Sequence, residues 1–346
     1  MYRIRPISAR DFEGFKQIAI ASGPGFTSLP VDDTRLRQKI ERSEQSFDSD
    51  VARPGDESYL FILERLHDDA QDETQATLVG TTGIEASVGL SAPLYHYHIS
   101  TVVHHSPQLD IYKIAKVLTL CNDYTGSTEI CTLFLDPQHR VGLNGRFLSR
   151  VRFLFMADYR ERFSELVIAE MRGSTGKNEV SPFWDWLEEH FFGIDFPTAD
   201  RLIGMGKKDF VAQLMPKYPI YLSLLNKEAQ SVVAQVHEYT KPALRLLQKE
   251  GFKHKGYIDL FDAGPTLEAH LDEIATIKKS QCCIVDIGDP EVGKPVAITN
   301  RKLNDFKALY THRAELDLDH SRLVIPKEIA RALNVESGAL VRFCYL

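Results

Sequence analysis

The chain has 346 residues, 43% hydrophobic and 26% charged, with 41 Lys and Arg against 48 Asp and Glu for a net charge of −7. That is enough apolar material for one large domain or two fused ones. The acidic balance, with no Lys/Arg cluster interleaved with aromatics, argues against a nucleic-acid binder. Cys121, Cys131, Cys282, Cys283 and Cys344 are odd in number and irregular in spacing, which excludes a disulfide framework and a CxxC zinc site and predicts free thiols. Met1-Tyr2-Arg3-Ile4-Arg5-Pro6 lacks the apolar core of a signal peptide. With no apolar run near the roughly 18 residues that span a bilayer, a cytoplasmic location without a membrane partner is expected.

In chain order, residues 2–4 read as a short strand, and Ser8 is placed to cap a following helix. A largely uncharged loop, Ser22-Gly23-Pro24-Gly25-Phe26-Thr27-Ser28-Leu29-Pro30, leads to a second helix capped by Asp33 or Thr34. Strands are predicted at 59–64, 77–85, 94–103 and 129–135, with a helical stretch at 111–120 between the last two. A long helix at 145–159, a buried-type strand at 166–171 and an aromatic-sided helix at 181–192 come next. Residues 216–240 contain a helix and a short strand ending near His237; a helix at 242–250 then stops at Gly251, and a strand covers 257–261. From 266 onward short strands and polar turns dominate, closing on a strand-to-helix unit that starts at 323.

This order predicts an α+β class. The early strands are spaced as hairpins, unlike those of a doubly wound dinucleotide fold. Three parts are expected: 1–215, a second related unit at 216–265 that contributes His237, and a small β-rich region at 266–346.

The densest chemical signal is the strand, turn, loop and helix start running from Glu129 through Leu133-Phe134-Leu135-Asp136-Pro137 to Arg140, Gly142, Asn144 and Gly145. Backbone N–H groups of such a loop, with the positive end of the helix behind them, suit a pyrophosphate. Gly142 and Gly145 permit close approach, and Arg140 and Arg146 supply charge-assisted bonds. Glu170 ends an apolar strand, where a carboxylate serves as a general base or holds a cation. Arg172, two residues on, is expected on the same side, facing a carboxylate. His96, His98, His104 and His105 lack the cysteine and carboxylate partners of a metal site, so no metal is expected.

The strand and loop resemble the coenzyme-A-binding motif of the GNAT acyltransferases, with pattern R/Q-x-x-G-x-G/A. Counted from Arg140, Leu143 stands at the first glycine position and Gly145 at the second. More of the chain resembles the arginine N-succinyltransferase family. The matching segments include Thr27-Ser28-Leu29-Pro30, Asn122-Asp123-Tyr124-Thr125-Gly126-Ser127, Ala169-Glu170-Met171-Arg172-Gly173, Gln235-Val236-His237 and Phe261-Asp262-Ala263-Gly264-Pro265. They occur in one order over about residues 1–280. The resemblance implies a GNAT-like mixed sheet with flanking helices. It implies succinyl-CoA as co-substrate, no permanently bound cofactor, and L-arginine as acceptor, with ornithine, another amine or another acyl-CoA as the alternative. It places Leu133 against succinyl-CoA through backbone groups and makes His237 the proton donor. Glu238 stands next, where the family usually has proline. Thr27, Ser28 and Asp123 fall in matched loops expected to line the amino-acid pocket. Some members work with a paralogous subunit, so a homo- or hetero-oligomer fits. A remote alternative rests on Arg322-Leu323-Val324-Ile325-Pro326-Lys327-Glu328-Ile329, which is similar to a swapped-hairpin DNA-binding module.

Overall fold

Alternation of charge and apolar bulk in the first strand decides how the sheet is organised. A computed structural model describes residues 1–23, 28–66, 76–176, 180–196, 198–199, 202, 209–317 and 320–346. In β1 (Tyr2–Pro6), Ile4 enters the main core while Arg3 and Arg5 reach Glu64 of β2 (Ser58–Arg65), the antiparallel neighbour. Between them, α1 (Phe12–Ser22) and α2 (Asp33–Asp48) lay Phe12, Phe15, Ile18, Leu36 and Ile40 over Leu60 and Ile62. Asp32 caps α2 by accepting from Arg35 N at 2.8 Å.

β3 (Thr77–Glu85) pairs with β2, and β4 (His96–Ser106) forms a long hairpin with β5 (Ile111–Cys121). β6 (Thr128–Leu135) returns to β3 and leads into α3 (Asn144–Asp158). Phe147, Leu148, Val151, Phe153, Leu154, Phe155 and Met156 of α3 are all buried, as a helix at the centre of a core requires. β7 (Leu166–Glu170) comes next, then α4 (Pro182–Leu187), β8 (Ile220–Tyr221), α5 (Lys227–Val232), α6 (Lys241–Glu250), β9 (Lys253–Asp259), β10 (Pro265–His270) and α7 (Ala275–Lys279). The last part contains β11 (Gln281–Ile287), β12 (Val292–Thr299), β13 (Ala308–Arg313), β14 (Glu315–Asp317), β15 (Arg322–Ile325), α8 (Lys327–Leu333) and β16 (Leu340–Tyr345). Among the described residues, 16 strands share one sheet in the order β14-β15-β11-β16-β12-β13-β1-β2-β3-β6-β7-β10-β9-β4-β5-β8. This is the α+β mixed sheet with flanking helices. No helix among the described residues is long and apolar enough to cross a membrane.

Several expectations change. Residues 111–120 are strand. Their apolar spacing imitates a helix, but eleven pairs with β4, from His96↔Cys121 to Ser106↔Ile111, fix them as a hairpin arm. The segment 216–265 has no sheet of its own: β8 pairs with β5, and β9 lies between β4 and β10. A boundary at 265/266 falls inside β10, which β7 and β9 flank. The run at 322–329 buries Leu323, Ile325 and Ile329 in a cluster with Val285, Ile298, Leu333 and Val341 of the same chain, and so forms no exposed hairpin.

Glu64 is fully buried, accepting from Arg3 Nε at 2.7 Å and Arg5 Nε at 3.0 Å. Arg5 also clasps Asp11 with two bonds of 2.8 Å, and Arg3 reaches Ala332 O in α8 at 3.4 Å. Removing the central carboxylate strands a buried cation. Glu64→Gln is expected to cost about 3–5 kcal/mol in denaturant unfolding, with β1 and the C-terminal part loosening together. A loss below about 1 kcal/mol would show that Arg3 finds water instead.

Candidate functional site

The site begins where a ladder stops. β6 and β7 are parallel neighbours, yet among the described residues they pair only at Thr128↔Val167 and Glu129↔Ile168. Beyond Ile130 the strands part, and the backbone edge of β6 facing β7 is left without a strand partner. On its other side β6 carries a bulge against β3, between the pairs Gly80↔Leu135, Thr81↔Phe134 and Gly83↔Cys131. Thr132 takes φ 54° there, in the left-handed region. Leu133 sits in this bulge with its side chain packed on the main core, so its backbone is what it offers to the opening. Gly80 permits the approach of β6: a Cβ there would lie 2.8 Å from Phe134 O.

The opening points at the start of α3. Leu143 caps that helix without a side-chain bond, so the first-turn N–H groups keep their positive potential. Gly142 has φ 55°, and a Cβ on Gly145 would meet only Leu135 Cδ2, at 3.9 Å. Asn144 departs from expectation. Its side chain is fully buried, donating to His139 O at 3.0 Å and accepting from Tyr310 OH at 2.9 Å, so it shapes the loop from within. Arg140 folds back, its Nε donating to Leu135 O at 3.0 Å.

Three segments converge past the end of β7. Gly173 bridges Val236, His237 N donates to Arg172 O at 3.0 Å, and Ser174 N donates to Gln235 O at 3.0 Å. The turn after β9 locks on from the other side: Ala234 N donates to Ala263 O at 2.9 Å, and Asp262 accepts from Gly173 N at 2.6 Å and Gly264 N at 2.8 Å. The contact tolerates no side chain, since a Cβ on Gly264 would lie 2.0 Å from Met171 O. Ala234 and Ala263 hold φ 58° and 54°, strain that a tightly determined site sustains. His237 is buried, and its Nδ1 accepts from Tyr239 N at 3.2 Å, which makes Nε2 the proton-bearing nitrogen of the neutral ring. A cleft of about 540 Å³ opens beside Val236, between α6 and the β9–β10 pair.

The sheet face that carries Glu170 is acidic and aromatic. Glu170 keeps a side-chain exposure of 30%, and its Oε1 lies 2.8 Å from Nε2 of the buried His96. Tyr124 OH donates to Glu268 at 2.6 Å and Tyr257 OH to Asp123 at 2.8 Å, with the two rings 4.5 Å apart. Asp259 lies opposite His96 in the β4–β9 register and accepts from Phe261 N and Asp262 N. Burial, with the Asp259 charge next, pushes the Asp262 carboxyl well above its ordinary range. Burial and then Glu170 push Asp259 upward as well.

Leu133 therefore lies on the stretch of β6 that β7 leaves unpaired, and Gly142 and Gly145 lie at the start of α3, while Glu170, Arg172 and the His237 backbone gather at the end of β7. Ser28 lies in the turn between α1 and α2, beside buried Leu29. Thr27 lies outside the described residues. His96, Asp259, Asp262, Tyr124 and Tyr257 were missed as site residues. Asp123-Tyr124 and Asp262 stood in matched segments, but their partners are distant in sequence.

The chain matches the family described as arginine N-succinyltransferase beta subunit over residues 2–276, and that family's C-terminal domain over residues 281–345. It is 42% identical over 356 residues to the arginine N-succinyltransferase of Yersinia pestis (strain Pestoides F), covering 100% of this chain and 98% of that one. With the Citrobacter koseri protein of the same name the identity is 42% over 349 residues, covering 99% and 98%. The solved structure of arginine/ornithine succinyltransferase subunit AI from Pseudomonas aeruginosa superposes with a TM-score of 0.89 at 36% identity, covering 100% and 98%. The chain belongs to the arginine N-succinyltransferase family.

The raised Asp262 carboxyl has a consequence for stability. The folded chain holds this proton more tightly than the unfolded chain, where the group titrates near 3.9. Its contribution therefore falls as pH rises from that value through the raised one. Asp262→Asn, which cannot ionise, is expected to gain on the parent as pH rises from about 4 in paired urea unfolding curves. A gap between the two proteins that does not change with pH would contradict the assignment.

Proposed function

We propose, from membership of this family, that the chain transfers the succinyl group of succinyl-CoA to the α-amine of L-arginine, giving N2-succinylarginine and CoA in arginine breakdown. The observation that carries the reading is 42% identity along the full chain with a protein named for that reaction. The open β6 edge supports it, because a pantetheine arm is a chain of amides that needs such partners. In this reading the arm bonds to backbone groups around Leu133. The pyrophosphate rests on the start of α3, approached past Gly142 and Gly145, with Arg140 and the Asn144 backbone beside it.

Ser28, Asp123 and Arg172 are assigned to the amino acid, Arg172 for its carboxylate. The acidic face suits a cationic acceptor, arginine or ornithine. Glu170 takes the first proton of the α-ammonium, and the amine nitrogen adds to the thioester carbonyl. The C–N bond forms, the C–S bond breaks, and Nε2–H of His237 donates a hydrogen bond to the departing sulfur, which takes up the second proton that the nitrogen loses. One of the two protons from nitrogen thus reaches CoA and the other leaves to solvent by way of Glu170. No covalent enzyme intermediate is involved. The co-substrate implies a cytoplasmic enzyme.

Purified protein is expected to release CoA from succinyl-CoA only with arginine or ornithine present; equal turnover of acetyl-CoA, or none with any amino acid, would sink the reading. His237→Ala should lower kcat by about 10²–10⁴-fold at an unchanged melting temperature. A near-normal rate would remove it from the chemistry. Gly145→Val should weaken succinyl-CoA binding in calorimetric titration without loss of fold, because the nearest atom leaves room for a Cβ at 3.9 Å. Unchanged affinity would move the pyrophosphate elsewhere.

A further inference from the structure

His96 is the first residue of β4 and is 1% exposed, yet its ring contacts a carboxylate that opens outward. Nε2 stands 2.8 Å from Glu170 Oε1 as an ion pair, reached across β9 and β10, and neither ring nitrogen makes a well-aligned hydrogen bond among the described residues. The ring stands edge-on to Tyr124, with centroids 5.1 Å apart, and Cys121 Sγ contacts the His96 carbonyl at 3.5 Å. The buried imidazole thus meets one partly exposed carboxylate, and among the described residues that contact is its polar link toward solvent.

We propose that His96 is a positioning residue for acyl transfer that acts through Glu170, receiving by way of that carboxylate the proton given up by the acceptor amine. This rests on the reading of the chain as an amine acyltransferase. The step is a proton relay. The ammonium N–H bond breaks, its proton passes to Glu170 and on to Nε2 of His96, and an imidazolium–carboxylate pair results. After the amide leaves, the proton returns to solvent by the same oxygen. An isolated carboxylate titrating near 4.3 is a poor acceptor for an ammonium proton. A histidine behind it holds the proton better, because the negative charge is retained next to the new positive one.

The groups facing the ring agree with this. Burial alone lowers the proton affinity of His96, but the bond and charge of Glu170 on β7, with Asp259 on β9 and Asp123 in the turn after β5, outweigh it and raise the imidazole above its ordinary value. Tyr124 and Cys121, the other titratable neighbours, are both pushed upward by burial and stay neutral. The relay needs His96 neutral at the start, so the rate climbs with pH as the imidazolium deprotonates.

Two measurements on the full chain test this. In histidine-labelled protein followed by NMR, His96 should titrate above about 6.5, and Glu170→Gln should bring the midpoint down. In pH profiles of kcat/KM for arginine at saturating succinyl-CoA, the acidic limb should track that midpoint. His96→Gln should lower the rate about 10²-fold, keep KM for succinyl-CoA within about twofold, and lose the limb. A folded His96→Gln enzyme that keeps the limb overturns the proposal, as does a His96 midpoint indifferent to Glu170. The NMR result decides the pairing even if arginine proves not to be the acceptor, which the parent's own turnover reports separately.

Discussion

The structure depends on a ladder left unfinished. Two parallel strands that stayed paired would satisfy each other's backbone groups and leave nothing to bind with. Among the described residues β6 and β7 pair at only two register positions, and the chain on either side of the gap is shaped to keep them apart. The bulge at Thr132 bends β6 on its far side, and Gly80 lets β3 stay close to it. β7 is drawn the other way by β10, paired along its whole length from Leu166↔His270 to Glu170↔Thr266. The cost of the unmatched edge is met by the buried packing of α3 and the aromatic cluster of Phe47, Tyr59, Phe61 and Phe155 beneath it.

Local signals carried much of this architecture. The apolar run of β6, its Asp-Pro stop and the glycines before α3 could be read in order because strand, turn and helix start are each specified by a few adjacent residues. The Gly251 stop of α6 is confirmed by φ 103° at that residue. The β5 arm could not be read this way: Ile111, Ile114, Val117 and Leu118 have helical spacing, and only the partner strand decides between the periods. The burial of the Asn144 side chain was not legible for a similar reason. An asparagine at a helix start looks like an outward-facing polar group until Tyr310, far along the chain, turns out to bond it. The pairs His96–Glu170 and Tyr124–Glu268 had no local signature at all.

Around His237 the chain accepts costs that a merely stable protein would avoid. Two carboxylates lie close together, burial raising both and the Asp259 charge raising Asp262 further, two alanines hold left-handed backbone, and Gly173 and Gly264 pack without room for a methyl group. Each feature fixes the same object, the crossing of segments 171–174, 234–237 and 259–264. Fixing it sets the position of the histidine relative to β7 and hence to the opening, which a flexible loop would leave to chance. The strain and the buried charge are therefore the physical counterpart of geometric precision at this point.

The C-terminal part bears on that precision from behind. It does not touch the opening through the residues assigned to chemistry, yet it is bound to the helix that carries the loop. Asp158, at the end of α3, accepts from Arg301 Nε at 2.6 Å and Arg342 Nε at 2.8 Å, and Tyr310 of β13 holds Asn144 at the other end. α3 is thus anchored at both termini by residues from beyond position 300, and β13 extends the sheet by pairing with β1. A helix held at both ends has its first turn fixed relative to the sheet. The acidic charge at Asp158 is buried and shared by two guanidinium groups, so only the loss of both would leave an uncompensated ion in the core. The C-terminal part therefore acts on the loop before α3 through the two ends of that helix.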